Sequence, residues 1–317
     1  MQNSNNPPTI FLMGPTASGK TALAVQLAQQ LNGEIISVDS ALVFKGMDIG
    51  TAKPSSAERG GIVHHLIDIL DPAESFSTGQ FRKLALELMA DITERGKLPI
   101  LVGGTMLYFN ALNSGLAVLP EADAGIRAKL DEELALLGKE ALHQRLAQVD
   151  PQAAARIHPN DPQRVQRALE VYEISGQPLT SFFTEAQSQP IPYNITKLII
   201  APEDRKILHA VIAKRFQQML QQGLIEEVEK LFARGDLTEQ LPAIRAVGYR
   251  QVWSYLQGEY DLETMAEKAI AATRQLAKRQ FTWLRKETDA QHFQTGQADL
   301  LKAVLTTVND RIDGASG

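Results

Sequence analysis

A segment near the start of the chain has the spacing of a phosphate-binding loop. It consists of Gly14, Pro15, Thr16, Ala17, Ser18, Gly19, Lys20 and Thr21. The segment fits the pattern G-x-x-x-x-G-K-[ST], in which backbone N–H groups surround an anion at the positive end of a helix. The Lys20 side chain would neutralise phosphate oxygens, and the Thr21 hydroxyl would hold a Mg²⁺ ion that bridges them. The predicted chemistry is the binding of a chain of phosphates, with or without a nucleoside attached.

Asp39 is the second residue with chemical potential. It ends the apolar run formed by residues 35–38 and is followed by Ser40. An acid at the end of a strand beside a phosphate loop either contacts the metal, directly or through water, or accepts a proton from an incoming nucleophile. The spacing alone favours the metal contact, and both roles stay open at this point.

The composition narrows the chemistry further. The 317-residue chain contains no cysteine, which excludes disulfides, thiolate nucleophiles and cysteine-bound metals. It is 44% hydrophobic and 22% charged, as is typical of globular proteins, and no apolar run is long enough to span a membrane. The first residues lack the features of a signal peptide, so the cytoplasm is the expected compartment.

The positive charges are unevenly distributed along the chain. The formal net charge of −5 argues mildly against a nucleic-acid ligand. Between Lys268 and Lys286, however, basic residues occur with no acid among them, and Arg274, Lys278 and Arg285 fall on one helical face. This run is either a solvated helix face or a surface for phosphates. It also contains Phe281 and Trp283, of which we expect at least one to be buried.

The first third of the chain must position these groups. Short apolar runs alternate there with helical patterns, which predicts an α/β fold with a P-loop NTPase-like parallel sheet. The predicted strands are Thr9–Met13, Glu34–Val38 and Leu98–Val102, and the predicted helices are Thr21–Leu31 and Thr78–Glu94. Because ligands bind at the carboxyl edge of such sheets, we expect the site where these strands end.

The pattern changes to amphipathic helices after about Leu119. We therefore expect the first part of the core at residues 1–119 and a helical insertion domain at 120–192. The segment 193–317 is expected to return to the core and end in helices. Within these parts we predict a loop at Pro178–Pro192, a strand at Ile195–Ile200, and helices at Arg205–Arg234 and Leu262–Lys286.

Several blocks beyond the phosphate loop carry a family resemblance. They are Asp39-Ser40, Lys45 to Pro54, the pair His65 and Asp68, Gly103 to Tyr108, His158 to Glu170, Ala246 to Gln251 and Ala277 to Arg285. In this order, over nearly the whole chain, they resemble the bacterial tRNA dimethylallyltransferases. The resemblance implies transfer of a dimethylallyl group from dimethylallyl diphosphate to the N6 amine of the adenosine 3′ of the anticodon, in tRNAs that read codons beginning with U. Diphosphate would be released.

The resemblance assigns roles to individual residues. It makes Asp39 the base that accepts the proton of the amine, whereas the spacing alone favours a metal contact. Thr105 would orient the amine or a phosphate oxygen, and Mg²⁺ at Thr21 would be the cofactor. Arg215, on a predicted amphipathic helix, is a candidate for a further diphosphate contact, and an exposed helix charge is the alternative.

The resemblance also implies a surface for the tRNA anticodon stem-loop. The expected contacts are Asp39, Ser40, Ala41, Leu42, Thr105, Arg127, Gln163, Arg164, Val165, Gln166, Arg167, Arg245, Ala246, Val247, Gly248, Tyr249, Arg250, Lys278, Arg279 and Arg285. Ion pairs to Asp161 or Glu170 are the alternative for Arg164 and Arg167. Because the adenine must leave its stack to react, we expect a tunnel open at both ends, with the diphosphate entering by the phosphate loop. We expect a monomer that makes no membrane contact.

Three other functions are compatible with parts of this pattern. A P-loop kinase or ATPase would use the same loop. A transferase that prenylates free adenine nucleotides would not need the insertion and the basic carboxyl-terminal helix. A tRNA-binding module with a relic phosphate loop is the third, and the intact Gly19, Lys20, Thr21 and Asp39 argue against it.

Overall fold

The computed structural model describes residues 6–117, 119–185 and 191–314. The chain divides into two compact units. The first unit comprises Met1–Ala111 and Pro192–Gly317, and the second comprises Leu112–Ile191. The predicted insertion, residues 120–192, covers most of the second unit.

The first unit is built on a parallel sheet. Its strands are β1 (Pro8–Met13), β2 (Gly33–Val38), β3 (His64–His65), β4 (Leu98–Gly103), β5 (Asn194–Ala201) and β6 (Gln291–Gln294). Across the described residues the strands follow the order β3-β2-β4-β1-β5-β6, and each neighbouring pair is parallel. The predicted α/β fold is confirmed, and so are the strands predicted from apolar runs.

Helices cover this sheet and form the second unit. They are α1 (Lys20–Gln30), α2 (Thr78–Glu94), α3 (Met106–Ser114), α4 (Ala124–Val149), α5 (Pro151–Arg156), α6 (Pro162–Ser175), α7 (Leu179–Glu185), α8 (Arg205–Gln221), α9 (Leu224–Phe232), α10 (Tyr249–Leu256), α11 (Leu262–Leu284) and α12 (Leu300–Gly314). None of the helices in the described ranges is long and apolar enough to cross a membrane.

The core of the first unit fixes the phosphate loop. Leu23, Leu27 and Ala28 of α1 pack against buried residues of the sheet, including Ile10 and Ile100. This packing holds the start of α1 beside the end of β1, and the six residues 14–19 connect the two elements. The loop therefore lies at the carboxyl edge of the sheet, as the sequence predicts.

A second core in the same unit brings the later helices to this edge. Phe216 of α8, Val228 of α9, Val252 of α10 and Met265 of α11 pack around one another. Phe44, from the segment after β2, is buried in the same cluster. The carboxyl-terminal helices are thus anchored to the chain that follows Asp39.

The second unit has its own apolar core. Leu130 and Leu146 of α4 pack with Val165 and Leu169 of α6. Helix α4 is interrupted at Gly138, whose φ is +79°. The predicted loop at Pro178–Pro192 is partly wrong, because α7 occupies its first half, while residues 186–190 lie outside the described residues.

Candidate active site

The phosphate loop turns sharply between β1 and α1. Ala17 and Gly19 adopt left-handed φ values of 64° and 80°. Such a conformation turns successive backbone N–H groups toward one concave side, and glycine adopts it without strain. The Ser18 hydroxyl is buried and has no hydrogen-bond partner among the described residues. The loop thus presents backbone and side-chain donors to a common space.

Lys20 is the first residue of α1 and its ammonium belongs to this loop. Its Nζ donates a hydrogen bond of 3.2 Å to the carbonyl oxygen of Pro15. Burial lowers the pKa of Lys20 to about 8, while the Asp39 carboxylate opposes this shift and the Arg215 guanidinium adds to it. The ammonium is therefore held in a desolvated place that a bound anion would stabilise.

Two cavities meet at these residues. The first, here called the loop cavity, has a volume of about 470 Å³ and is lined by the phosphate loop and the ends of β2 and β4. The second, here called the helix cavity, has a volume of about 140 Å³ and takes part of its wall from α8 and α11. Lys20, Asp39 and Arg215 line both cavities. The structure therefore brings the predicted base and the predicted diphosphate ligands together.

Asp39 is oriented by the turn that follows it. Its Oδ1 accepts hydrogen bonds from the backbone N–H groups of Ala41, at 2.8 Å, and Leu42, at 3.4 Å. Because both bonds fall on one carboxylate oxygen, the turn fixes the side chain between the two cavities. This geometry agrees with a carboxylate that faces a substrate.

Arg215 lies on α8 and is partly buried rather than fully exposed. Burial lowers the pKa of its guanidinium, while the carboxylates of Glu58 and Asp39 raise it. An arginine keeps its charge in any such environment. Arg215 therefore presents a cation to the two cavities that Lys20 also lines. The placement supports the predicted diphosphate contact over the alternative of an exposed helix charge.

Thr105 stands on the turn after β4, next to the turn after β2. Its backbone N–H donates to the carbonyl oxygen of Val38 at 3.2 Å. Its Oγ1 accepts a hydrogen bond of 3.2 Å from the Ser40 N–H. The two turns are thus tied together, and Thr105 lies beside the residues that follow Asp39.

Part of the wall of the helix cavity is apolar. Its wall includes Ile212, Phe216 and Met219 of α8 and Leu276 of α11. Five of the predicted RNA contacts also line it, namely Asp39, Ala41, Ala246, Val247 and Gly248. A small apolar group and a flat base edge are chemically compatible with such walls.

The side chains of Val165 and Tyr249 are buried, so the prediction that they contact RNA is wrong. Val165 is 1% exposed because it packs in the core of the second unit. Tyr249 is 0% exposed, and its hydroxyl donates a hydrogen bond to Glu227 of α9. The Glu227 carboxylate also accepts from the backbone N–H of Ile49 at 2.8 Å, so this pair anchors the segment after β2.

Three arginines of the second unit that were predicted to contact RNA are ion-paired, namely Arg127, Arg164 and Arg167. Glu170, itself buried, accepts from Arg127 at 2.9 Å and from Arg167 at 2.6 Å. Arg164 pairs with Asp161 at 3.2 Å and stays largely exposed. The ion-pair alternative for Arg164 and Arg167 is therefore confirmed, and their contact with RNA stays a prediction. Gln166 donates to Asp131 at 2.6 Å, and Gln163 is exposed.

The predicted basic surface at the end of the first unit is exposed. The residues concerned are Arg245, Arg250, Lys278, Arg279 and Arg285. The expectation that Phe281 or Trp283 is buried is wrong, since both rings are partly exposed and each lies under a cation. The Lys286 ammonium, for example, lies 5.0 Å from the centre of the Trp283 ring.

The sequence interpretation missed three polar groups of the site. Ser37 Oγ and His64 Nε2 are buried without a hydrogen-bond partner in the described part of the chain, and both residues line the loop cavity. Gln280 of α11 lines the helix cavity and is buried. A usable signal existed for Ser37, which lies two residues before Asp39 and so on the same face of β2.

Comparison with known proteins identifies the family of this chain. A sequence model described as IPP transferase matches residues 42–287. The chain is 56% identical to the tRNA dimethylallyltransferase of Methylococcus capsulatus over 98% of this chain and 100% of that protein. It is 57% identical to the tRNA dimethylallyltransferase of Nitrosococcus oceani over 92% of this chain and 93% of that protein. The chain belongs to the IPP transferase family. The family resemblance predicted from sequence is thereby confirmed.

Solved structures of IPP transferases have the same fold. The tRNA isopentenylpyrophosphate transferase of Bacillus halodurans is 39% identical, with a TM-score of 0.72 over 98% of both chains. A eukaryotic dimethylallyltransferase acting on tRNA is 27% identical, with a TM-score of 0.84 over 97% of this chain and 80% of that one. In this IPP transferase, the phosphate loop and Asp39 thus belong to a fold that its relatives share.

Proposed function

We propose that this IPP transferase moves a dimethylallyl group from dimethylallyl diphosphate to the N6 amine of the adenosine 3′ of the anticodon. The substrates are tRNAs that read codons beginning with U, and diphosphate is released. Relatives more than 50% identical over nearly the whole chain carry the name tRNA dimethylallyltransferase. One observation carries the proposal, namely that Asp39, Lys20 and Arg215 line the same two cavities.

The enzyme must assist both substrates, the adenine amine that attacks and the diphosphate that leaves. The lone pair of an aromatic amine is delocalised, so the amine attacks an allylic carbon slowly. The new bond joins N6 to C1 of the allyl group while the C1–O bond breaks, and its electron pair leaves with the diphosphate. Asp39 accepts the N6 proton as the bond forms, and Lys20, Arg215 and the loop N–H groups stabilise the negative charge that builds on the leaving oxygens.

The two cavities can separate the two ends of the small substrate. The loop cavity contains the cationic and N–H donors, so it accommodates the diphosphate. The helix cavity, with Phe216, Met219 and Leu276 in its wall, accommodates the dimethylallyl group and the edge of the adenine. Asp39 lies on both, so its carboxylate stands where the amine and the allylic carbon must meet.

We propose Mg²⁺ as the cofactor, held at Thr21. Thr21, Ser18 and Ser37 all line the loop cavity, and the last two hydroxyls are buried without a partner in the described ranges. These hydroxyls fit a hydrated cation on a diphosphate, because Mg²⁺ keeps several waters and shares its shell with substrate phosphates. When bound, the ion adds positive charge against the leaving oxygens.

Ser37→Ala is expected to weaken Mg²⁺ binding about threefold to tenfold in the presence of diphosphate. The variant removes one neutral hydrogen bond to the hydration shell, which contributes about 1 kcal/mol. Titration with Mn²⁺, followed by electron paramagnetic resonance, measures the affinity without any turnover. Ser254→Ala, on α10, serves as the matched control. An unchanged affinity in Ser37→Ala would place this hydroxyl outside the metal shell.

The affinity for dimethylallyl diphosphate is expected to fall at alkaline pH. The pKa of Lys20 is lowered to about 8 by burial, so the ammonium of the free protein loses its proton above that pH. Binding must then take up a proton, and the dissociation constant rises toward about tenfold per pH unit. Calorimetric titrations between pH 7 and 9.5 measure this slope. Lys20→Arg keeps its charge and should flatten it. A flat profile in the unmodified protein would contradict the role of Lys20.

We further propose that the protein acts as a monomer on the tRNA anticodon stem-loop. The residues to which roles are assigned, namely the phosphate loop, Asp39, Thr105 and Arg215, can all be supplied by one chain. Exposed Lys278 and Arg279 on α11 are available to neutralise RNA phosphates.

A label-transfer assay distinguishes the proposed function from its rivals. The protein is incubated with labelled dimethylallyl diphosphate and Mg²⁺, together with tRNA or with adenosine monophosphate. Label on tRNA alone is expected. Label on the free nucleotide would favour the nucleotide prenyltransferase. Nucleotide-stimulated phosphoryl transfer without label in either acceptor would favour the kinase.

A further inference from the structure

The side chain of Gln280 connects two loops of the site. Gln280 lies on α11 and is 9% exposed. Its Oε1 accepts a hydrogen bond of 2.8 Å from the Thr16 N–H in the phosphate loop. Its Nε2 donates a hydrogen bond of 3.0 Å to the carbonyl oxygen of Gly104. One amide therefore binds the diphosphate side of the site and the turn after β4.

The connection continues to the base. Gly104 precedes Thr105, whose Oγ1 accepts from the Ser40 N–H at 3.2 Å. Asp39 stands immediately before Ser40. A chain of hydrogen bonds thus runs from Thr16 through Gln280 and the turn after β4 to the turn that carries Asp39.

Close contact makes this connection stiff. A Cβ atom added at Gly104 would lie 2.3 Å from Nε2 of Gln280, so only glycine allows the amide to approach the backbone this closely. Both polar ends of the buried side chain are satisfied, as a fixed position requires. An apolar side chain of the same length would fill the space without joining the loops.

We propose that Gln280 is a positioning residue of the transfer reaction, an inference that rests on the proposed function. By holding Thr16 and Gly104, it sets the distance between the diphosphate and the base that takes the proton. Displacement of reacting groups by about 1 Å costs about 10²-fold in rate, so the loss of this amide lowers the rate of the chemical step.

The position of Gln280 also relates the two substrates. Its neighbours Lys278 and Arg279 are exposed on α11, whereas Gln280 faces inward. The helix that we propose to bind RNA phosphates through these two cations therefore also holds the phosphate loop through Gln280. Through its hydrogen bonds to Thr16 and Gly104, the Gln280 amide makes the positions of the reacting groups depend on the position of that helix.

Gln280→Met tests the proposal, because methionine keeps the length and removes both hydrogen bonds. Gln275→Met, at an exposed position of α11, is the matched control. The single-turnover rate of Gln280→Met is expected to fall about 10- to 100-fold, with the dissociation constant for tRNA within about twofold of the control. Hydrogen exchange of a peptide covering residues 14–19 should become faster in Gln280→Met alone.

Gln280→Glu provides a readout that simple core filling would not change. Its carboxylate cannot donate to Gly104, whereas its protonated acid can donate there and accept from Thr16. Its rate relative to the unmodified protein should therefore rise as the pH falls from 8 to 5.5. This variant decides the question if Gln280→Met fails to fold.

The outcomes separate this inference from the proposed function. If the unmodified protein transfers no label to tRNA, the proposed function fails, and hydrogen exchange still tests the connection. If the unmodified protein transfers label, and Gln280→Met matches the control in rate and exchange, the inference is overturned. A relative rate for Gln280→Glu that does not change with pH also overturns it.

Discussion

Asp39→Asn is expected to lower the single-turnover rate of dimethylallyl transfer about 10²- to 10⁴-fold, the usual contribution of a positioned base. The affinity for dimethylallyl diphosphate should change little. The amide oxygen of asparagine can still accept the N–H groups of Ala41 and Leu42, so the turn is preserved. The amide cannot accept the proton of the adenine amine, and the chemical step loses its base.

Rapid quenching with saturating enzyme separates this effect from binding. Asp310→Asn, on the exposed face of α12, makes the same change of charge away from the site and should transfer at the unmodified rate. A single-turnover rate for Asp39→Asn close to that of the control would remove Asp39 as the base and restore the metal contact as its role.

Lys20→Met has the second largest expected effect. A charged hydrogen bond to a phosphate contributes about 1.5–3 kcal/mol, so the dissociation constant for dimethylallyl diphosphate should rise about 10- to 100-fold. The rate at saturation should fall about 10²- to 10³-fold, because the ammonium also stabilises the charge on the departing diphosphate.

Calorimetry and single-turnover assays measure the two losses separately. Lys302→Met, at an exposed position of α12, is the control for the loss of one positive charge. Unchanged affinity in Lys20→Met would mean that the diphosphate lies elsewhere, and the assignment of the loop cavity would be wrong.

Local patterns allowed the phosphate loop and the central strands to be predicted. The loop's conformation depends on Gly19 and its immediate neighbours, which stand together in the sequence. Strands such as β4 are buried along their whole length and therefore appear as apolar runs. By contrast, β3 has only two residues, both histidines, and β6 is polar and largely exposed. Neither has a pattern that distinguishes it from a loop.

Helix bounds depended on single residues. The predicted helix Arg205–Arg234 is two helices, α8 and α9, because Gly223 between them has a φ of +99°. One glycine inside an amphipathic pattern is tolerated in many helices, so the break was not evident from periodicity.

Contacts between distant residues explain what the sequence could not predict about the site. Tyr249 lies in the block Ala246 to Gln251, from which the resemblance to the family was argued, but Glu227 and the segment around Ile49 bury it. Gln280 occupies an inward position between Ala277 and Leu284, which a polar residue on a buried face could have indicated. Its partners Thr16 and Gly104 come from the other end of the chain, and only the fold shows them.

The central claim is that one cavity system holds the leaving diphosphate while Asp39 takes the proton of a tRNA adenine. The most direct measurement combines rapid quenching of the unmodified protein and Asp39→Asn with mass spectrometry of the digested tRNA. We predict one N6-dimethylallyladenosine and one diphosphate per turnover for the unmodified protein, and enzyme-bound but unreacted dimethylallyl diphosphate for the variant. Prenylated tRNA formed at equal rates by both proteins, or a group attached at another atom, would contradict the claim.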